Sequence, residues 1–335
     1  MQPFTSRKGR FFVYLVLVLF FLYSTIPFIW TILQSLKTNR QANARTPLLW
    51  FKPTLESYSE VWLNSTDGNT ALIGYALIAV FVVLILVGLL ARYLPISTTM
   101  TYWVIVGVIV LIMWAIPRLL DTAEFYDYFL NSVIISVGAV TLSLTLSSLS
   151  AYALARYTGF AAVAILLAAL AFRALPKLGF ILPYYWMGQL SGLYDTRILV
   201  IITLVALNQP FSIWMLRSFF RDIPYEIEEA AMIDGANRLN AFIRVILPIA
   251  WPGLIATALF TLLLAYQEFL LVRILTQANT TLSVASAQFL GGRSVASSVA
   301  LQSAAAVSAT LPLVIVVLIF QKHLVRGLSA GAVKG

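Results

Sequence analysis

The chain has 335 residues, 61% of them hydrophobic and 10% charged, with a mean hydropathy of +0.91. Those values exclude an ordinary water-soluble domain and place the chain among polytopic membrane proteins. The formal net charge of +9 forms no basic stripe for nucleic acid and suits anionic lipid headgroups instead, while the lack of cysteine excludes a disulfide framework and a thiolate metal site.

Met1 to Arg10 carries Arg7, Lys8 and Arg10 without an acid, which favours the cytoplasmic side. The apolar run Phe11 to Leu33 is too long for a signal-peptide core and has no small-residue cleavage site after it. Residues 1–33 therefore read as a cytoplasmic N-terminus and a retained first span. Residues 34–70 are polar, contain Pro47 and Pro53, and read as an outer loop with a short helix near Trp50 to Trp62. Two apolar runs follow, Ala71 to Leu90 and Tyr102 to Ile116, separated by a turn with Arg92 and Pro95. They predict an inserted transmembrane hairpin over 71–116. Its membrane-embedded positions hold no acid, base or amide, which favours a peripheral pair over a transport role.

Residues 129–320 read as the main body. Phe129 to Leu149 is a span rich in Ser, Thr and Gly, suited to close helix contacts. Another starts at Phe160 to Phe172 and runs irregularly past Arg173, Pro176, Lys177 and Pro183 to about Trp186. Ile198 to Phe219, about Gly253 to Ile274, and about Ala300 to Phe320 complete the set, and 321–335 form a basic cytoplasmic tail. The fold class is thus all-α and polytopic, with eight spans: six along the chain and two in the hairpin. Lys and Arg divide almost evenly between the two sides, so the orientation rests on the acid-free N-terminus and the basic tail.

Between two of these spans lies a polar island, 222–248, that carries Glu226, Glu228, Glu229, Asp234, Arg238 and Arg244. Pro224 suits a first helical turn, and the following acids lie near the positive end of the helix dipole. Gly235 interrupts the pattern, and beyond it Leu239, Phe242, Ile243 and Ile246 recur at helical spacing. The spacing predicts a short helix, a turn at Gly235, and an amphipathic helix with one apolar stripe, a shape built to dock in a groove.

The island resembles the EAA motif of membrane subunits of ATP-binding-cassette importers: Glu229-Ala230-Ala231, then Gly235, then Val245-Ile246-Leu247-Pro248, with Val245 in place of the usual Ile. Asp234-Gly235-Ala236, Phe242, the spacing to Pro252, Asn131-Ser132, Ala151 to Arg156, Pro210-Phe211 with Trp214, and Phe219-Phe220 with Ile223-Pro224 resemble carbohydrate permeases of the maltose type. The terminal Gly331-Ala332-Val333-Lys334-Gly335 is similar to that of the second permease subunit. The likeness spans nearly the whole chain except about 64–123. It implies a type I importer permease core of six transmembrane helices, to which the hairpin adds two. An even number of extra spans keeps Glu229 on the side of the N-terminus, where an ATPase can reach it.

The resemblance further implies that Glu228, Glu229, Ala230, Ala231, Asp234, Gly235, Ala236, Leu239, Phe242, Leu247 and Pro248 couple the chain to an ATPase subunit dimer. A second homologous permease and an extracytoplasmic sugar-binding protein complete the implied complex, in a bacterial or archaeal plasma membrane. No cofactor is expected on this chain, because it has no G-x-x-x-x-G-K-[ST] phosphate loop; ATP and Mg²⁺ belong on the partner subunits. Sugar hydroxyls need amide, carboxylate and aromatic partners, which makes Asn208, Gln209, Trp214, Tyr266, Gln267 and Glu268 the candidate translocation path. Gln267 stands where the family more often has Asn, and Arg173 where it has an apolar residue. The plainer reading of Arg173 and Glu268 is snorkelling at the outer interface, or for Glu268 a pair with Arg273. Two rival readings lack the residues they require. An ion-driven secondary carrier needs more intramembrane acids, and a membrane enzyme needs a catalytic cluster that one histidine, His323, and scattered acids do not supply.

Overall fold

The structure, a computed structural model, describes residues 7–63, 124–157, 159–291 and 299–332, and every described regular element is helical. The predicted hairpin over 71–116 lies outside the described residues. The chain divides into two units, one of Met1–Asp127 with Ser286–Ala309 and one of Tyr128–Ala285 with Thr310–Gly335.

In the first unit, α1 (Arg7–Ser35) exposes Phe11, Phe20, Tyr23 and Phe28 on several faces. A helix apolar all round is what a lipid-facing span requires. The hydroxyls of Thr25 and Thr31 donate to the carbonyls of Phe21 and Pro27 one turn earlier, which keeps them satisfied without water. Beyond it, Lys37 is buried with its ammonium 5.0 Å from the Trp30 ring and 5.1 Å from the Phe51 ring. A capping box of Thr38 and Gln41 starts the single turn α2 (Asn39–Ala42). The short helix expected near Trp62 is α3 (Glu56–Leu63). It is tied by Tyr58 to Ser35 at 2.8 Å and by the Trp62 indole N–H, which donates to Ser308 at 3.0 Å.

The second unit is built on α4 (Glu124–Arg156), from Tyr128 onward, and α7 (Arg197–Asp222). At 33 residues α4 is about 50 Å long, more than enough to cross the ~30 Å hydrocarbon layer. Its small residues do bring a neighbour close: a Cβ at Gly138 would meet Ile201 Cδ1 at 2.7 Å. Between these helices α5 (Phe160–Ala174) and α6 (Lys177–Ser191) meet at 92°. The cause is local. Leu175 precedes Pro176 and is extended (φ −66°, ψ 150°), as the proline ring demands.

After the polar segment described below, α11 (Trp251–Tyr266) packs on α7 and stops earlier than the span predicted to run to Ile274. Gln267 caps it, and α12 (Leu270–Leu275) restarts as Glu268 accepts the N–H of Leu271. A run of apolar residues did not reveal this break, because the residues beyond it are equally apolar. One buried cluster includes Ile135, Leu204, Ile181 and Leu271; a second, nearer the polar segment, includes Leu216, Phe220, Phe242 and Ile246. The last elements are α13 (Leu282–Gly291) and α14 (Val299–Ala332), the latter helical beyond the span end expected at Phe320. Among the described residues four helices are long and apolar enough to cross a membrane, or up to six if each of two bent helix pairs is one span.

Candidate functional site

The polar segment starts where α7 stops. Ile223 is extended, Pro224 cannot continue the ladder, and α8 (Tyr225–Ile233) begins with Glu226 and Glu228 in its first turn. At its end Asp234 and Gly235 return N–H groups to the carbonyls of Ala230 and Met232, and the Ala236 N–H reaches Ala231 at 3.0 Å. Gly235 has φ +90°, with nothing within 4 Å of where a Cβ would sit. The glycine is needed for its backbone conformation, not for space. Asn237 then caps the next turn by accepting the Asn240 N–H at 2.8 Å.

The predicted amphipathic helix is not uniform. It is a turn of α-helix, α9 (Arg238–Ala241), a π-helical stretch Phe242–Ile246, and a further turn, α10 (Leu247–Ile249), before a 77° bend into α11. The wider π turn splits the expected stripe. Phe242 and Ile246 are buried, whereas Leu239 is 58% and Ile243 49% exposed. Phe242 packs between Tyr152 of α4 (4.6 Å between ring centroids) and Phe220 of α7 (5.9 Å). Leu247 is half-buried and Pro248 exposed.

The neighbouring acids of α8 face opposite ways. Glu229 is exposed, as are Ala230 and Asp234, while Ala231 and Ala236 are half-buried. Glu228 is 3% exposed and points at the end of α4. The Arg156 Nε donates to Glu228 Oε2 at 2.8 Å, and the Tyr152 hydroxyl donates to Oε1. Arg156 Nη1 also donates to the backbone carbonyls of Phe220 (3.4 Å) and Ile223 (3.2 Å). Its guanidinium lies 5.7 Å from the Tyr152 ring and 5.6 Å from that of Tyr225. Sequence reasoning placed Ala151 to Arg156 only as a matching motif and missed its contact with Glu228. The signal available was a helix-terminal cation with no acid within a turn of it. The exposed residues of the segment include the apolar Ile233, 86% exposed, Leu239 and Ile243, and the charged Glu229, Asp234 and Arg238.

The candidate path residues are only partly gathered. Asn208 is buried on α7, and Gln209 accepts from Ser143 of α4 at 3.3 Å. Ser143 continues to Ser212, and Ser212 to Thr261 of α11 at 3.1 Å, a hydroxyl chain across three helices. Trp214 is half exposed beside Phe211, whose ring also carries the Arg173 guanidinium at 4.8 Å. Tyr266, half-buried, Gln267, exposed, and Glu268 lie at the break after α11. Glu268 is 8% exposed and pairs with Lys177 at 2.6 Å, not with Arg273. That pair joins the α5–α6 bend to the α11–α12 break. Among the described residues no group of acids, histidines or cysteines could hold a metal ion.

Outside the polar segment, Asp195 (φ 57°) accepts the N–H groups of Gln277, Ala278 and Asn279. Burial pushes its carboxyl up, but those three donors outweigh it and hold the group below the usual carboxylate value.

The chain is 34% identical over 213 residues to the trehalose transport system permease protein SugB of Mycobacterium tuberculosis, covering 63% of this chain and 78% of that one. It is 35% identical over 218 residues to the trehalose/maltose transport system permease protein MalG of Thermococcus litoralis, covering 64% and 77%. In fold it is similar to a chain in the crystal structure of a bacterial ABC transporter involved in the import of the acidic polysaccharide alginate, with a TM-score of 0.65 at 19% identity, covering 96% of this chain and 99% of that one. Residues 143–330, which contain the whole polar segment, match the family described as binding-protein-dependent transport system inner membrane component, and the chain belongs to that family.

Proposed function

We propose that the chain forms one membrane-embedded half of an ATP-driven importer for an oligosaccharide, glycoside or related polyol. In this reading a dimer of ATPase subunits docks on 222–248, through the exposed Ile233, Leu239 and Ile243 with Glu229 at the rim. The observation that carries the proposal is that segment: it is folded by Gly235 and Asn237 into two short helices, and its outward side is apolar and unpaired among the described residues. Names of the relatives above, given for trehalose and maltose transport, support a saccharide as cargo.

The type I core of six spans, the hairpin at 71–116 as two more, and both termini on the cytoplasmic side of a plasma membrane belong to the same proposal. So do the second permease chain, of the first-subunit type, the external sugar-binding protein, and ATP–Mg²⁺ on the ATPase subunits rather than here. Asn208, Gln209, Trp214, Tyr266, Gln267 and Glu268 are the residues offered to the sugar. Sealed vesicles that hold the whole complex test the proposal. Sugar uptake should require ATP and the binding protein and should survive collapse of the ion gradients. Uptake that follows an ion gradient without ATP contradicts it and favours the secondary-carrier reading.

A further inference from the structure

We infer that Arg156 is a positioning residue, a clasp that joins the coupling segment to the ends of α4 and α7 so that the three move as one lever. The inference rests on the docking role proposed for 222–248.

One guanidinium holds three pieces of chain. It belongs to the last turn of α4. Its Nε is spent on Glu228 in the first turn of α8. Its Nη1 is spent on the carbonyls of Phe220 and Ile223 at the end of α7. The Phe220 carbonyl also accepts the Ile223 N–H at 3.3 Å, so at the end of α7 Arg156 adds a second donor to that carbonyl and one to the carbonyl of Ile223. Tyr152, one turn before Arg156, takes the other oxygen of Glu228, and both carboxylate oxygens are therefore held by α4. The rings of Tyr152 and Tyr225 flank the guanidinium and restrict its rotamers.

This joint is stiff for a physical reason. Glu228 is 3% exposed and the Arg156 side chain 18%. A buried charge is tolerable only while its partner is in place, so the joint is either made or broken and does not stretch. A push on the outward face of α8 then passes to α4 and α7 together. Further along, the same two helices are joined by Ser143 and Gln209, which places a candidate path residue on the lever. Glu229 and Glu228 thereby divide the work: the first faces the docking partner and the second faces the spans.

The test uses the reconstituted complex with its ATPase subunits, partner permease and binding protein. Three quantities are read: assembly by copurification, thermal midpoint, and sugar taken up per ATP hydrolysed. A Glu226→Cys variant, at an exposed position of α8 outside both the docking residues and the clasp, is single-cysteine because the chain has none of its own and reports docking by cross-linking to the ATPase. In Glu228→Gln and Arg156→Gln the cross-link should persist and the midpoint should fall, because each leaves one charge without its partner, while uptake per ATP falls by at least about fivefold. The double variant should be no worse than either single one, because both break one joint. An unchanged uptake-to-ATP ratio with the cross-link intact overturns the clasp and leaves the docking reading standing, whereas loss of the cross-link in the native background overturns the docking reading itself. Should Glu228→Gln fail to assemble, Tyr152→Phe decides by the same ratio: a fall supports the clasp, and no change overturns it.

Discussion

Gly235 shows how much a single backbone angle carries. Its φ of +90° closes the turn between α8 and α9, and the space around it is open. Gly235→Ala should therefore cost about 1–2 kcal/mol in local stability without any clash, and Gly235→Asn less, since asparagine tolerates that conformation better. Amide hydrogen exchange over 234–236 should quicken by roughly tenfold in the alanine variant; equal protection would contradict the argument. Asp195 gives a pH-dependent counterpart. Its folded carboxyl is held below the ordinary value, so the stability it lends is fully present above about pH 4 and is lost as pH falls through the depressed value. Protection of the 277–279 amides should be flat from about pH 7 to 5 and should drop only in stronger acid, while Asp195→Asn should lower it throughout that flat range.

At the scale of elements, the long spans were legible because length and apolarity suffice to define them: α1, α4, α7 and α14 each contain the predicted run. The bend at Pro176 was foreshadowed by the prolines and cations around it. Two features were not legible. The π-helical stretch Phe242–Ile246 breaks the 3.6-residue period from which the stripe was read, and Leu239 and Ile243 turn outward as a result. The Arg156–Glu228 contact joins residues 72 positions apart, and no local pattern encodes it. The split stripe makes a prediction. Phe242→Ala removes a ring packed between Tyr152 and Phe220 and should cost about 3–5 kcal/mol, seen as a lower thermal midpoint. Leu239→Ala and Ile243→Ala should change stability by no more than about 0.5 kcal/mol, yet weaken ATPase docking by about fivefold or more. If all three behave alike, the division of this face into packed and docking residues is wrong.

For the whole molecule, the polar segment lies within 143–330, the residues that match the family. Deletion of 71–116 should leave ATP-dependent uptake measurable, since the proposal gives that hairpin a peripheral place; a complex that assembles but does not transport would contradict it. The candidate path was the least legible part of the chain, because whether Asn208 or Gln209 meets cargo depends on neighbours distant in sequence. Ser143 claims the Gln209 amide and Lys177 claims the Glu268 carboxylate, which periodicity could not announce. The central claim, that 222–248 is the surface on which an ATPase docks, is tested most directly by copurification of the ATPase with this chain. The native chain should retain the ATPase in stoichiometric amount and Glu229→Lys should lose most of it; equal retention by both would contradict the account.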